Sequence, residues 1–229
     1  MMLKGILFDF NGTLLFDSAL HMDAFRRSFA LFGQPAPTDA FMIANIFGRT
    51  NETIYRENFD ANATKADVEH FADQKETLYR DACLEQRDTF RLVDGAEKLL
   101  DYLKENGIPY ALATGSDWSN VSFYLRELGL GRWFTTDNMV WNDGTYPGKP
   151  APDIYHKAAK KLGLSASDCL VFEDGTSGIR AANAADAGAV IALYESKYPS
   201  PLTDETRVDG VYHDLREWKT ILAEYGLLR

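Results

Sequence analysis

Residues 3–14 read LKGILFDFNGTL, and the way this stretch breaks decides the architecture. The apolar run Gly5-Ile6-Leu7-Phe8 stops on Asp9, and Asn11-Gly12-Thr13 then interrupts the periodicity. A short continuous apolar run closed by turn formers reads as a buried strand of a parallel sheet. A carboxylate directly after it lies at the carboxyl end of that strand, where open α/β sheets gather their ligands. Two later segments share the pattern. Pro109-Tyr110-Ala111-Leu112-Ala113 leads into Thr114-Gly115-Ser116, and Cys169-Leu170-Val171-Phe172 leads into Glu173-Asp174-Gly175. If these strands are neighbours, Asp9, Thr114, Glu173 and Asp174 converge at one end of the sheet. Carboxylates crowded there repel one another unless a cation joins them. Hard oxygen ligands suit magnesium, which takes one or two carboxylates and keeps several waters.

The rest of the chain divides by pattern. No strand signal occurs between Phe16 and Arg87, only candidate helices at 17–33, 39–46, 50–59 and 66–85, the first capped by Asp17 or Ser18. From Val93 strands and helices alternate. Asp94 is the expected cap of a helix over 95–106, followed by a strand at 109–113, a helix at 119–128 and short extended pieces near 139–141. A helix opened by Pro152 and running to 162 comes next. A strand at 169–172, a helix at 176–185, a strand at 190–193 and a closing helix at 215–225 complete the reading. The alternation predicts an α/β fold, a doubly wound parallel sheet with right-handed crossovers, with a small all-α domain inserted after the first strand. The predicted boundaries are 1–15 with 90–229 for the α/β core and 16–89 for the helical insert, placed over the strand ends.

Composition narrows the partners. With 34 acidic against 24 basic residues, the net charge of −10 argues against nucleic acid or an anionic membrane. A phosphorylated small molecule needs only local cations. No apolar run approaches the roughly 20 residues that cross a bilayer, and Asp9 interrupts the N-terminal run too early for a signal peptide. Only Cys83 and Cys169 occur, without metal-ligand spacing, and fit a reducing cytoplasm. The partner expected is a small phosphorylated metabolite, and the chain is expected as a monomer or weak homodimer.

Four segments carry a family resemblance. Asp9-Phe10-Asn11-Gly12-Thr13-Leu14, Thr114-Gly115-Ser116, Gly148-Lys149-Pro150 and Phe172-Glu173-Asp174 resemble, in order and spacing, motifs I to IV of the haloacid dehalogenase superfamily. The match is to the helical-cap branch that includes beta-phosphoglucomutase and phosphoglycolate phosphatase, and it covers nearly the whole chain. The resemblance implies a Mg2+-dependent phosphohydrolase whose nucleophile is Asp9 and whose insert closes over substrate. It implies Asp174 as a direct metal ligand, Glu173 in the first or second shell, and the Asn11 carbonyl as a further ligand. Lys149 becomes the partner of phosphate and of Asp9. Thr114, with the Gly115 N–H and the neighbouring Ser116, holds phosphoryl oxygens, and Gly12 lets the backbone approach closely. In the insert, His21 matches the first cap helix of beta-phosphoglucomutase, and the turn Phe47-Gly48-Arg49-Thr50-Asn51-Glu52 resembles the specificity loop. Arg49 there is placed to grip an anionic group. Asn51 stands where the mutases carry a cation, which weakens the mutase reading. Trp118, just past the second motif, is expected in the core, with the cleft wall as the alternative.

Asn11 departs from the pattern. The phosphatases and mutases of this branch carry Asp there, which gives a proton to the leaving oxygen and later takes one from water. An amide hydrogen-bonds but does not shuttle protons, a service typically worth ~10²–10⁴-fold. Three explanations stand side by side: a substrate with a good leaving group (acyl, pyrophosphoryl or aryl phosphate), a replacement acid such as His21, or slow or absent turnover. Beside the phosphohydrolase stand two alternatives, a phosphomutase and a metabolite-binding protein without turnover.

Overall fold

The first strand forms where the apolar run specifies it. β1 (Gly5–Phe8) is buried at every residue. It pairs in parallel with β2 (Tyr110–Ala113) on one side and β4 (Cys169–Glu173) on the other. β3 (Met139–Val140) extends the sheet beyond β2, and β5 (Ala189–Leu193) and β6 (Gly210–Tyr212) extend it beyond β4. The order is β3-β2-β1-β4-β5-β6, all parallel. Continuous apolar strands result because helices cover both faces of such a sheet. This computed structural model describes residues 2–47, 49–195, 197–198, 202–203 and 206–229. The chain divides into two compact units, Met1–Phe16 with Arg91–Arg229, and Asp17–Phe90.

In the α/β unit the crossover helices are α5 (Ala96–Glu105), α6 (Trp118–Glu127), α7 (Asp153–Lys161) and α8 (Thr176–Ala184), and α9 (Trp218–Glu224) closes the chain. One side of the sheet packs Leu7, Ala111, Val171 and Val190 against Ile154, Tyr155, Ala158, Ile179 and Ala182. One local expectation is corrected, and one strand carries no sequence signal. Asp94 does not cap α5; Gly95 holds the cap position, and the Asp94 carboxylate pairs with Arg91 at 2.8 Å. β6 was not readable, because as an edge strand of half-buried residues, with Val211 exposed, it carries no apolar run.

The helical unit holds α1 (Ser18–Leu31), α2 (Asp39–Asn45), α3 (Asn51–Asn58) and α4 (Lys65–Glu85). Thr38, Thr50 and Thr64 cap the last three, Thr64 in a reciprocal capping box with Asp67. Asp17 precedes α1 but makes no capping bond; its buried carboxylate accepts from the Tyr79 hydroxyl at 2.5 Å. Phe29, Phe32, Tyr55, Phe59 and Phe71 form the unit's aromatic interior, with ring centroids 4.8–6.0 Å apart in their contacts. Gly48 of the predicted specificity turn lies outside the described residues.

Candidate active site

Asp9 follows β1 directly, and its N–H donates to the Phe172 carbonyl at 3.0 Å, so the carboxylate emerges at the sheet's carboxyl edge. Phe8 pairs with Phe172, which sets Glu173, the last residue of β4, in register beside Asp9. Thr114 leaves β2 at the same edge, its N–H bonded to the Val140 carbonyl at 3.0 Å. The chain after β1 turns sharply: the N–H groups of Thr13, Leu14 and Leu15 all donate to the Phe10 carbonyl. Gly12 sits in this turn at φ +80, where a Cβ would lie 1.9 Å from Asp174 Oδ2, so only glycine fits.

Lys149 supplies the cation. Its ammonium donates to Asp9 Oδ1 and, at 2.5 Å, to Glu173 Oε1. Burial opposes its charge, but the adjacent Asp9 and Glu173 carboxylates outweigh burial and hold its pKa above the ordinary lysine value. Glu173 is fully engaged. Oε1 accepts from Lys149 and from the Tyr155 hydroxyl at 2.7 Å, while Oε2 accepts from the N–H groups of Asp174 and Gly175 at 2.9 and 3.0 Å. Burial first, and then the charge of Glu173, push the Tyr155 hydroxyl well above its ordinary pKa, so it stays a donor. Gly178, in the first turn of α8, leaves the room Glu173 needs: a Cβ there would lie 1.7 Å from Oε1.

Asp9, Glu173 and Asp174 each bring a carboxylate oxygen within 4.8 Å of the other two. Three carboxylates facing one ammonium leave an excess of negative charge, and all the donor atoms are hard oxygens, so the set fits a small divalent cation. Glu173 takes four donors within this set.

A second network holds Asn11. Ser116 Oγ donates to Asn11 Oδ1 at 2.8 Å, and Asn11 Nδ2 donates to the Tyr124 hydroxyl at 2.9 Å. Ser116 is itself placed by its N–H, which donates to Thr114 Oγ1 at 3.1 Å. Asp9, Asn11, Gly12, Thr114, Gly115, Ser116, Lys149, Glu173 and Asp174 thus lie at the carboxyl ends of this sheet's strands or in the loops at that edge.

His21, Arg49 and Asn51 belong to the helical unit. His21 stacks on Tyr79 with centroids 4.0 Å apart, its Nδ1 lies 3.0 Å from Lys75 Nζ, and its Nε2 lies 3.3 Å from Asp17 Oδ2. An ammonium has only hydrogens to offer, so Nδ1 accepts and Nε2 carries the proton. Lys75, buried among these groups, also pairs with Glu76 at 2.8 Å, and Asn51 Nδ2 reaches the same Glu76 oxygen at 3.3 Å. Arg49 stands apart from this chain of contacts, paired with Glu57.

Sequence reasoning missed Tyr124, Tyr155, Gly178 and Lys75. A tyrosine on the apolar face of an amphipathic helix must find a partner for its hydroxyl, and that signal was present in Tyr155 beside Ile154, Ala158 and Ala159. Trp118 is corrected: at 45% exposure it is not core.

The chain is similar in sequence and in fold to known hydrolases. Residues 3–186 match the family model of haloacid dehalogenase-like hydrolases. The fructose-1-phosphate phosphatase YqaB of Escherichia coli is 30% identical over 186 residues, spanning 81% of this chain and 94% of YqaB. A phosphorylated carbohydrates phosphatase of Thermotoga maritima is 26% identical over 96% of this chain and 90% of its own. The crystal structure of a HAD hydrolase, family IA, variant 3, from Entamoeba histolytica superposes with a TM-score of 0.86 at 38% identity, covering 98% of this chain and 97% of that one. The chain belongs to the haloacid dehalogenase-like hydrolase family.

Proposed function

We propose that this chain is a magnesium-dependent phosphatase that removes the phosphoryl group of a small phosphorylated metabolite through an aspartyl phosphate on Asp9. The observation that carries the reading is the convergence of Asp9, Glu173 and Asp174 with Lys149 at the carboxyl edge of β1 and β4. The phosphatases among its relatives support it, including those named for fructose 1-phosphate and for phosphorylated carbohydrates.

Each residue has a part. An Asp9 carboxylate oxygen attacks phosphorus as the bond to the leaving oxygen breaks, and water then attacks the same phosphorus and returns the carboxylate. Lys149 offsets the charge of Asp9 and of the incoming phosphoryl oxygens. Thr114 and the N–H groups of Gly115 and Ser116 are assigned to phosphoryl oxygens. Asp9 and Asp174, with the Asn11 carbonyl, would hold Mg2+, which when bound neutralises phosphoryl charge. Glu173 keeps Lys149 and the Asp174 loop in place. In the helical domain, proposed as 16–89 against a core of 1–15 with 90–229, His21, Arg49 and Asn51 are assigned to substrate recognition. No described helix is long and apolar enough to cross a membrane, and the proposed location is the cytoplasm.

The test is phosphate release from a panel of phosphorylated metabolites with and without Mg2+, alongside chemical trapping of the acyl phosphate. Hydroxylamine-sensitive label on Asp9, lost in Asp9→Asn, is expected. Transfer to a second sugar hydroxyl with no phosphate released would replace the phosphatase with a mutase.

A further inference from the structure

Asn11 lies beside the nucleophile and has no proton to give. Its amide is oriented from both sides, by the Ser116 hydroxyl at 2.8 Å and the Tyr124 hydroxyl at 2.9 Å. Among the described residues of the α/β unit, the other groups around Asp9 are also committed. Lys149 bridges Asp9 and Glu173, and Tyr155 donates to Glu173, which takes four donors in all. Within the helical unit the ring nitrogens of His21 face Asp17 and Lys75. A leaving oxygen served by these groups departs as an anion. That restricts the substrate to leaving groups stable in that form.

An independent feature says what such a group looks like. Trp118 and Trp141 pack with ring centroids 4.9 Å apart, and Trp118 stays 45% exposed. Trp118 opens α6 two residues beyond Ser116, and Trp141 follows β3. The next residue, Asn142, donates its N–H to the Ser116 carbonyl at 2.9 Å. Trp118 therefore follows the loop that holds Asn11 and Trp141 lies in the loop bonded to it, at the sheet edge where ligands gather. An exposed indole, Trp118, backed by the half-buried Trp141 forms at such an edge a stacking surface for a flat ring.

We propose that the substrate is an aryl phosphate, a phosphoryl group on a phenolic oxygen, whose ring stacks on the Trp118–Trp141 pair and leaves as a phenolate without a proton from the protein. The inference rests on the phosphatase reading and names its substrate class. The balance is simple. Asp9 Oδ forms a bond to phosphorus, the phosphorus–phenolic oxygen bond breaks, and its electron pair leaves on the phenolate. Water then adds to phosphorus, the Asp9–phosphorus bond breaks, and both protons of that water remain with the inorganic phosphate. The phenolate is protonated by solvent.

The experiment compares substituted phenyl phosphates of rising phenol pKa, glycerol phosphate, and acetyl phosphate as a ringless substrate with a good leaving group. Native chain, Asn11→Asp, Trp118→Ala and Trp118→Phe are measured with Mg2+. Expected for the native chain is a kcat/KM that falls steadily with phenol pKa, and glycerol phosphate slower than 4-nitrophenyl phosphate by at least ~100-fold. Asn11→Asp flattens that dependence. Trp118→Ala lowers the preference for 4-nitrophenyl over acetyl phosphate about tenfold, through KM, and Trp118→Phe restores most of it. Native turnover of glycerol phosphate as fast as of 4-nitrophenyl phosphate overturns the inference and leaves the phosphatase reading standing, as does an unchanged preference in Trp118→Ala. No phosphate release and no Asp9 label from any compound removes both.

Discussion

Gly178→Ala tests whether Glu173 holds the site together. Within a helix this substitution ordinarily stabilises, by up to about 1 kcal/mol in the interior and less in the first turn where Gly178 lies, because glycine loses more backbone entropy and alanine is the best helix former. Here the new methyl would lie 1.7 Å from Glu173 Oε1 and 2.0 Å from its Cδ, against an ordinary contact of about 3.5 Å. The carboxylate must move by more than its hydrogen bonds tolerate. Oε1 faces the intruding methyl, so the bonds from Lys149 and Tyr155 go first. Hydrogen bonds to a charged group contribute about 1.5–3 kcal/mol each. Two lost, less the gain in helix propensity, predict a net destabilisation of about 2–5 kcal/mol. The assay is urea unfolding followed by far-UV circular dichroism, with phosphate release measured on the folded fraction. Lower stability with an unchanged urea dependence is expected, together with activity down at least ~10-fold as Lys149 loses one of its two carboxylate anchors. A variant as stable as the native chain, or about 1 kcal/mol more stable, would refute the reasoning: Glu173 would have relaxed without cost and could not be what fixes Lys149.

Other perturbations follow from the same contacts. Asp174→Asn removes one of the three clustered carboxylates, so differential scanning fluorimetry should show a higher metal-free Tm and no Mg2+-induced rise; in the native chain, Mg2+ at 100 times its Kd stabilises by about 2.7 kcal/mol. Gly12→Ala meets Asp174 Oδ2 at 1.9 Å and a backbone at φ +80, so the same Mg2+ titration should show a much weakened response. Tyr79→Phe strips the 2.5 Å donor from the buried Asp17 carboxylate and should cost about 1–3 kcal/mol in urea unfolding. Burial pushes both the Cys83 and Cys169 thiols from 9.0 up to about 12, so neither should react with a thiol reagent at pH 8 until the chain unfolds. Above pH 9 the unfolded chain sheds thiol protons that the folded chain keeps, so the stability present below that pH falls as pH rises toward 12, by on the order of 1 kcal/mol per thiol at pH 10; urea unfolding from pH 8 to 10 measures it.

The parts of the molecule written in local pattern were legible. β1, β2, β4 and β5 are buried throughout, and such strands need apolar residues at every position, which one window of sequence displays. β6 had no such need and left no mark. The caps divide the same way. Thr64 and Asp67 satisfy each other three residues apart, whereas Asp17, an equally good capping residue, gives its carboxylate to Tyr79, which lies 62 positions away. No short-range rule anticipates that, because the competing partner arrives only when α1 and α4 pack.

The same distinction explains what a list of motifs leaves out of the active edge. Asp9, Thr114, Lys149, Glu173 and Asp174 each end an apolar run or project from a proline-flanked turn, so their types and places could be read in order. What each one does depends on which lone pairs and hydrogens remain after its neighbours are satisfied. Glu173 reads in sequence as a metal ligand of the first or second shell beside Asp174. With both oxygens taken by Lys149, Tyr155 and two backbone N–H groups, its chemistry is that of an anchor. Asn11 looks in sequence like a lost carboxylate. Held between Ser116 and Tyr124, it is a fitted amide in a preorganised loop, and its consequence falls on the substrate. On the proposed reading, an amide in place of a carboxyl among the described residues of this edge transfers the demand to the leaving group, and the exposed Trp118 backed by the half-buried Trp141 is the surface on which an aromatic leaving group would rest.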